Sequence, residues 1–138
     1  MREQTRRVVE LDAVEALRLL GSVRLGRIVF TLEALPALRT ATHIIDERGR
    51  LVFRTDGATT LAAISGADAG GSVVAYQADC IDAETLIGWS VAVVGRAEPV
   101  TAPDLVDRYR KLCAPWVDSP ADNLVRLRPE LISGQRIV

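Results

Sequence analysis

The run Phe53-Arg-Thr-Asp-Gly-Ala-Thr-Thr-Leu61 brings together residue types that can hold an anion. A strand-like stretch ends, Asp56-Gly57 turns the chain, and Thr59 and Thr60 open a helical segment. The first N–H groups of a helix lack intrahelical partners and carry partial positive charge. Hydroxyl donors and the Arg54 guanidinium beside them would complete an anion site. The same residues also read as an N-cap at Thr59 and a solvated charge at Arg54. His43 is the only histidine. An imidazole titrates near neutrality, so His43 could protonate a reduced substrate, or it could be a structural residue of a half-buried strand. Trp89 and Trp116 offer flat rings on which a base or another planar ring could stack, and equally anchors for a core or an interface. Arg126 and Arg128 alternate with Leu127, which puts both guanidiniums on one face of a strand, towards an anion or towards water.

Other chemistry is restricted by what is missing. Lys111 is the only lysine, so a Schiff-base mechanism would rest on it alone. One histidine and two separated thiols, Cys80 and Cys113, do not supply a tetrahedral zinc site, and Asp79, Asp82 and Glu84 form an acidic loop without a histidine partner. No metal is expected. The cysteines read as free, buried thiols in a reducing cytoplasm.

These residues must be positioned by strands. Val23 to Thr31 alternates with apolar residues on both faces, as in a barrel or sandwich wall. Leu35-Pro36-Ala37 is expected to break that strand, and a second runs from about Leu38 to Ile45. A polar turn over Asp46–Arg50 leads into a third, Leu51 to Thr55. Ser72–Asp79 and Gly88–Val100 are further strands, with Gly95 marking a bulge or bend in the longer one. Asn123–Arg128 and Gly134–Val138 read as a closing pair. Three short helices intervene. The first, Leu11 to Leu20, has a capping-box pattern at Asp12 and Glu15 and an apolar face of Val14, Leu17 and Leu20. The second covers Thr59–Ile64 and is closed by Ser65-Gly66. The third starts at Thr101-Ala-Pro-Asp104 and runs to about Leu112. Antiparallel runs with short helices argue for a small barrel, and no G-x-G-x-x-G turn follows a strand.

Composition agrees with one domain. The chain has 138 residues, 49% of them hydrophobic, and a mean hydropathy of +0.17, which is material for a single core. Residues 1–10 read as a flexible N-terminal tail and 11–138 as the domain. A net charge of -1 gives no basic field for a nucleic-acid partner. No apolar run approaches the roughly 20 residues that span a bilayer, and the charged start lacks a signal-peptide core. A cytoplasmic location is expected.

Several strings carry a family resemblance: Leu35-Pro-Ala-Leu-Arg-Thr-Ala-Thr-His-Ile-Ile-Asp46, Leu51-Val-Phe-Arg-Thr55, Gly88-Trp-Ser-Val91 with Gly95-Arg-Ala97, and the ending Val125-Arg-Leu-Arg-Pro129 with Ser133-Gly-Gln-Arg-Ile137. In this order and spacing the sequence resembles the pyridoxamine 5′-phosphate oxidase-like family, in particular its single-domain, nitroimidazole-reductase-like actinobacterial members. The resemblance covers the chain from about Leu11 onward. It implies a mainly β fold with short helices, a six-stranded antiparallel split β-barrel. It also implies a homodimer with flavin mononucleotide (FMN) between the subunits. The implied flavin contacts are Arg39, Thr42, His43, Arg54, Thr55, Thr59 and Thr60, with Trp89 and Ser90 on a strand near the dimer interface. Where Thr60 stands, family members usually carry a lysine against the phosphate. A hydroxyl donates a hydrogen bond there but neutralises no charge, which brings a deazaflavin (F420), or no cofactor, alongside FMN. The implied function is an oxidoreductase that reduces a small organic acceptor through bound flavin. The alternatives are a non-catalytic flavin or deazaflavin module and a family member without cofactor.

Overall fold

The computed structural model describes residues 5–65, 71–120 and 122–138. Among them the elements run β1 (Val8–Glu10), α1 (Ala13–Gly21), β2 (Leu25–Leu32), β3 (Leu35–Ile45), β4 (Leu51–Asp56), α2 (Ala58–Ser65), β5 (Ser72–Ile81), β6 (Gly88–Pro99), α3 (Pro103–Leu112) and β7 (Asp122–Ile137). All seven strands pair antiparallel in one sheet, in the order β1-β7-β4-β3-β2-β5-β6, and a further β6–β7 pairing closes six of them into a ring. The expected mainly β split-barrel architecture with short helices is the one that forms. The seventh strand is the difference. Val8–Glu10, placed by the sequence in a tail, pairs with Gln135–Ile137. Residues 1–4 of that tail lie outside the described residues.

Inward-facing residues of the ring make the main core. On β2 these are Gly26, Ile28 and Phe30, and they meet Leu51, Phe53, Tyr76, Val91, Val93, Val125 and Leu127. Ala16 and Leu20 of α1 and Ile64 of α2 enter the same core. A second, smaller cluster of Val52, Tyr109 and Leu124 attaches α3 to the outer face of β4 and β7. Polar ties hold α3 there as well: the Tyr109 hydroxyl donates to Asp46, and Arg108 pairs with Glu47 in the β3–β4 turn.

Three sequence expectations are corrected by packing. In α1, Asp12 caps the helix by accepting from the Glu15 amide. The buried side chains, however, are Ala16, Leu19 and Leu20, while Val14 is 81% exposed. Leu17 is half-buried against the same core, so of the three expected residues Val14 alone turns to solvent, and Ala16 and Leu19 complete the packed face. Secondly, the break between β2 and β3 falls at Glu33-Ala34 rather than at Pro36. Both residues take positive φ, 51° and 66°, as the two central positions of a tight I′ hairpin must. Pro36 stays inside β3 opposite Thr31. That pair lies one step beyond the hydrogen-bonded residues flanking the turn, so the ring nitrogen faces the open edge of β3 and removes no ladder bond. Thirdly, the expected closing pair is one continuous strand. β7 bends instead of turning, because Gly95 lies opposite Pro129 and Val94 opposite Leu131, which leaves Glu130 as the extra residue of a bulge. A Cβ on Gly95 would lie 1.9 Å from the Arg128 carbonyl oxygen, so this crossing needs glycine. Through the bend, β7 serves β4 with its first half and β1 with its second, and β6 along both.

Candidate functional site

Antiparallel register fixes which side chains of β3 and β4 share a face. Thr42 is paired with Arg54, and His43 with Phe53. The first pair points outward, towards the chain that leaves α3; the second points into the ring. This alternation separates residues adjacent in sequence into two environments.

On the outer face, a cleft of about 570 Å³ opens where β2 begins and β3 ends. Val23, Leu25 and Ile44 give it apolar walls, the segment Leu112–Trp116 closes one side, and Ser22, Arg24, Thr42 and Asp79 supply polar groups. That size and mixed lining suit a small organic molecule or cofactor ring. Thr42 lies at its edge and donates a hydrogen bond to the Ala114 carbonyl. Arg54 is buried beside it. Its Nε is 3.1 Å from both oxygens of Asp122, its Nη2 also donates to that carboxylate, and its Nη1 donates to the Cys113 carbonyl at 2.6 Å. Arg54 is thus occupied by a buried, forked ion pair. Removing one partner of such a pair typically costs about 3–5 kcal/mol, because the other charge is left buried and uncompensated. Burial raises the pKa of the Cys113 thiol, so it stays protonated near neutrality.

His43 borders the cleft between Thr42 and Ile44, but it is 1% exposed and its ring bonds to partners on the inner side. Nε2 lies 2.8 Å from the Leu20 carbonyl and Nδ1 lies 2.7 Å from the Tyr76 hydroxyl. A carbonyl can only accept, so Nε2 carries the proton and Nδ1 accepts from Tyr76. Burial lowers the His43 pKa, against a smaller opposing effect of the Leu20 hydrogen bond. The imidazole is therefore neutral, with both nitrogens satisfied by the protein, and in this arrangement neither is available to a ligand. The close approach that allows the Tyr76 contact depends on Gly26, where a Cβ would fall 2.4 Å from the Tyr76 ring.

The remaining sequence candidates do not converge on the cleft. Helix α2 begins at Ala58, and the Leu61 amide donates to Gly57. Thr59 is therefore inside the first turn, exposed, in a groove with Thr31 and Glu33, whereas Thr60 is buried. Thr55 is buried too, and its hydroxyl is the one buried side-chain polar atom without a hydrogen-bond partner among the described residues. Arg39 is exposed on the open stretch of β3, with its guanidinium 6.0 Å from the Phe30 ring centre. Trp89 is a core residue at 7% exposure. Ser90 is bonded to Gln77 and lines a separate groove on β6 and β7. Of the two thiols expected to be buried, Cys80 is exposed. Arg126 pairs across the strands with Glu98.

Two cleft residues, Arg24 and Asp79, and Asp122 beside the cleft were not tied to this site by the sequence, where Asp79 read only as part of an acidic loop. Arg24 and Asp79 enter because β2 and β5 bring their ends to the mouth. Asp122 meets Arg54 across 68 residues of chain. The Gly57 turn did mark the end of β4, but nothing in the sequence tied that strand to the loop after α3.

The family model described as pyridoxamine 5′-phosphate oxidase matches residues 12–136. An uncharacterized protein of Mycobacterium tuberculosis is 47% identical over 138 residues, spanning 99% of this chain and 90% of its own length. A solved FAD-binding protein from Mycobacterium smegmatis is 31% identical with a TM-score of 0.67, covering 94% of this chain and 98% of that one. A Corynebacterium glutamicum structure carrying the oxidase family's name has a TM-score of 0.73 at 29% identity, covering 93% of this chain and 91% of that one.

Proposed function

The chain belongs to the pyridoxamine 5′-phosphate oxidase family, and from that premise we propose that it binds a flavin in the β2–β3 cleft and uses it to reduce a small organic acceptor. The observation that carries the reading is the cleft: about 570 Å³, apolar on its walls and polar at its rim, on the outer face of the ring. Those residues suit the ring end of a flavin. Val23, Leu25 and Trp116 would cover its faces, while Ser22, Arg24 and Asp79 offer hydrogen-bonding groups to its edge. Flavin supplies hydride and electron transfer when bound, and the chain supplies orientation and exclusion of water. The phosphate end of FMN is served less well. The start of α2 has unpaired N–H groups and the Thr55 hydroxyl near it in sequence, yet Arg54 is held by Asp122, and Asp56 adds negative charge. Flavin recognition through the ring follows, with FMN, FAD or a deazaflavin (F420) distinguished by their distal parts.

A carrier that binds flavin without turnover is the second reading. It is favoured by His43, which has no free nitrogen with which to protonate a substrate.

We also propose a homodimer. One register row crosses the outer face of five strands, Leu38–Val29–Ala75–Val94–Leu131. Every member is apolar, with Leu38 53% and Leu131 63% exposed. An apolar belt of this kind on a monomer marks a surface for association.

Gel filtration after incubation with riboflavin, FMN, FAD or F420 tests binding. The expected result is a coloured protein peak with a flavin spectrum. A colourless peak with all four sinks the proposal. Oxidation of NADPH in the presence of a quinone or nitroaromatic acceptor then separates the enzyme from the carrier.

A further inference from the structure

We infer that Trp116 is the stacking platform of the cleft, and that Thr42 and Arg54 are positioning residues that hold it in place rather than ligands of the cofactor. The inference rests on the flavin reading of the cleft and assigns the face on which the ring lies.

Exposure is the first observation. The chain has two tryptophans and two tyrosines. Tyr76, Tyr109 and Trp89 are 0%, 3% and 7% exposed, whereas Trp116 is 54% exposed and lines the cleft. An indole left half in water keeps a large apolar face available for a planar partner.

Rigidity is the second. Trp116 lies beyond the end of α3 in a segment without regular structure, where a large side chain would ordinarily be loosely held. Here the preceding residues are gripped one after another. The Cys113 amide donates to Tyr109 at 2.8 Å, Arg54 donates to the Cys113 carbonyl at 2.6 Å, and Thr42 donates to the Ala114 carbonyl. Pro115 then fixes one more backbone angle. Arg54 is itself aligned by Asp122. Two register partners on neighbouring strands therefore clamp two successive carbonyls, and the indole is presented with little freedom left to lose on binding.

Shape is the third. Val23 and Leu25 line the same cleft as Trp116, with Ser22, Arg24 and Asp79 as polar groups. An apolar slot with polar groups matches a flat heteroaromatic ring whose edge carries donors and acceptors.

The experiment uses the full chain and FMN. Equilibrium dialysis measures affinity, the emission of bound FMN reports contact with an indole (which quenches flavin fluorescence at van der Waals distance), and light scattering gives the mass. In the wild type, bound FMN should be strongly quenched. Trp116→Phe should retain binding within a few-fold but restore emission. Trp116→Ala should raise Kd about tenfold, the usual scale for losing one aromatic stacking partner. Thr42→Val, which frees the Ala114 carbonyl, should partly restore emission, a signal that a purely structural role would not move. The inference is overturned if bound FMN is as dark in Trp116→Phe as in the wild type. It is equally overturned if Trp116→Ala leaves Kd unchanged and alters only the mass, since Trp116 would then belong to a subunit contact. Failure of the wild type to bind FMN would overturn the inference for FMN, whereas the flavin reading itself falls only if riboflavin, FAD and F420 are refused as well.

Discussion

Single residues show how adjacent positions acquire unlike roles. Thr42 and His43 are neighbours on β3, but the alternation of the strand sends one to the cleft and the other to the core. His43 links Leu20 of α1 to Tyr76 of β5 and is held neutral by burial. Because its folded pKa lies below 6.5, the unfolded chain takes up the proton first. Stability from this group is therefore fully present above pH 6.5 and is lost as pH falls below that value. Carboxylates with lowered pKa, such as Asp46, act at more acidic pH and leave the window below 6.5 to His43. His43→Leu should cost about 2–3 kcal/mol, since the Leu20 carbonyl loses its imidazole donor and the Tyr76 hydroxyl keeps only the longer bond to the Ala41 carbonyl. His43→Gln can keep both bonds and should flatten the slope of stability below pH 6.5. Denaturant unfolding across that range measures both, and an unchanged slope in His43→Gln would contradict the assignment.

Elements carry their own strain and their own signals. The Glu33-Ala34 turn places two L-residues at positive φ without glycine or asparagine, a conformation costing roughly 1–2 kcal/mol per residue. The hairpin holds because Leu32 and Leu35 pair immediately outside it and the strands continue to Leu25 and Thr42. Replacing the pair by Asn-Gly should therefore stabilise the protein by about 1 kcal/mol and raise Tm by several degrees in calorimetry; a fall in Tm would show that the turn side chains make contacts that outweigh the backbone relief. The sequence placed this break at Pro36 because proline usually ends a strand. What rescued Pro36 was its position on the unpaired side of β3, which only the register reveals. By contrast, the alternation of β2 and the polar Asp46–Arg50 turn were legible, since both are local: Asp46 accepts from the Arg48 and Arg50 amides within the turn itself.

At the scale of the molecule, ring closure and the outer belt are the governing features. Closure by β6 and β7 leaves β3 residues before Thr42 paired on one side only. The apolar row through Leu38 and Leu131 runs from that stretch around the outer surface. If the belt is a subunit contact, the native mass is twice 15.0 kDa. Leu38→Glu should shift it to a single chain without changing the far-UV spectrum, because Leu38 is 53% exposed and outside the core. Sedimentation analysis checks this, and a wild type that sediments as a monomer would remove the dimer proposal. Among the described residues no helix is long and apolar enough to cross a membrane.

The strand-rich class, most element positions and the glycine-marked bend at Gly95 were legible before any tertiary contact was known. These follow from periodicities and turn chemistry that act over a few residues. The sequence also carried the family strings between Leu35 and Ile137, all but the last residue of which lie within the 12–136 span that the family model matches. Tertiary structure decided the face that α1 buries and the union of two expected strands into β7. It decided as well the fate of the anion-site candidates, by giving Arg54 to Asp122 and His43 to Tyr76. Those outcomes depend on which groups meet across tens of residues, and a buried charge or imidazole binds whichever partner the closed ring brings within hydrogen-bond reach.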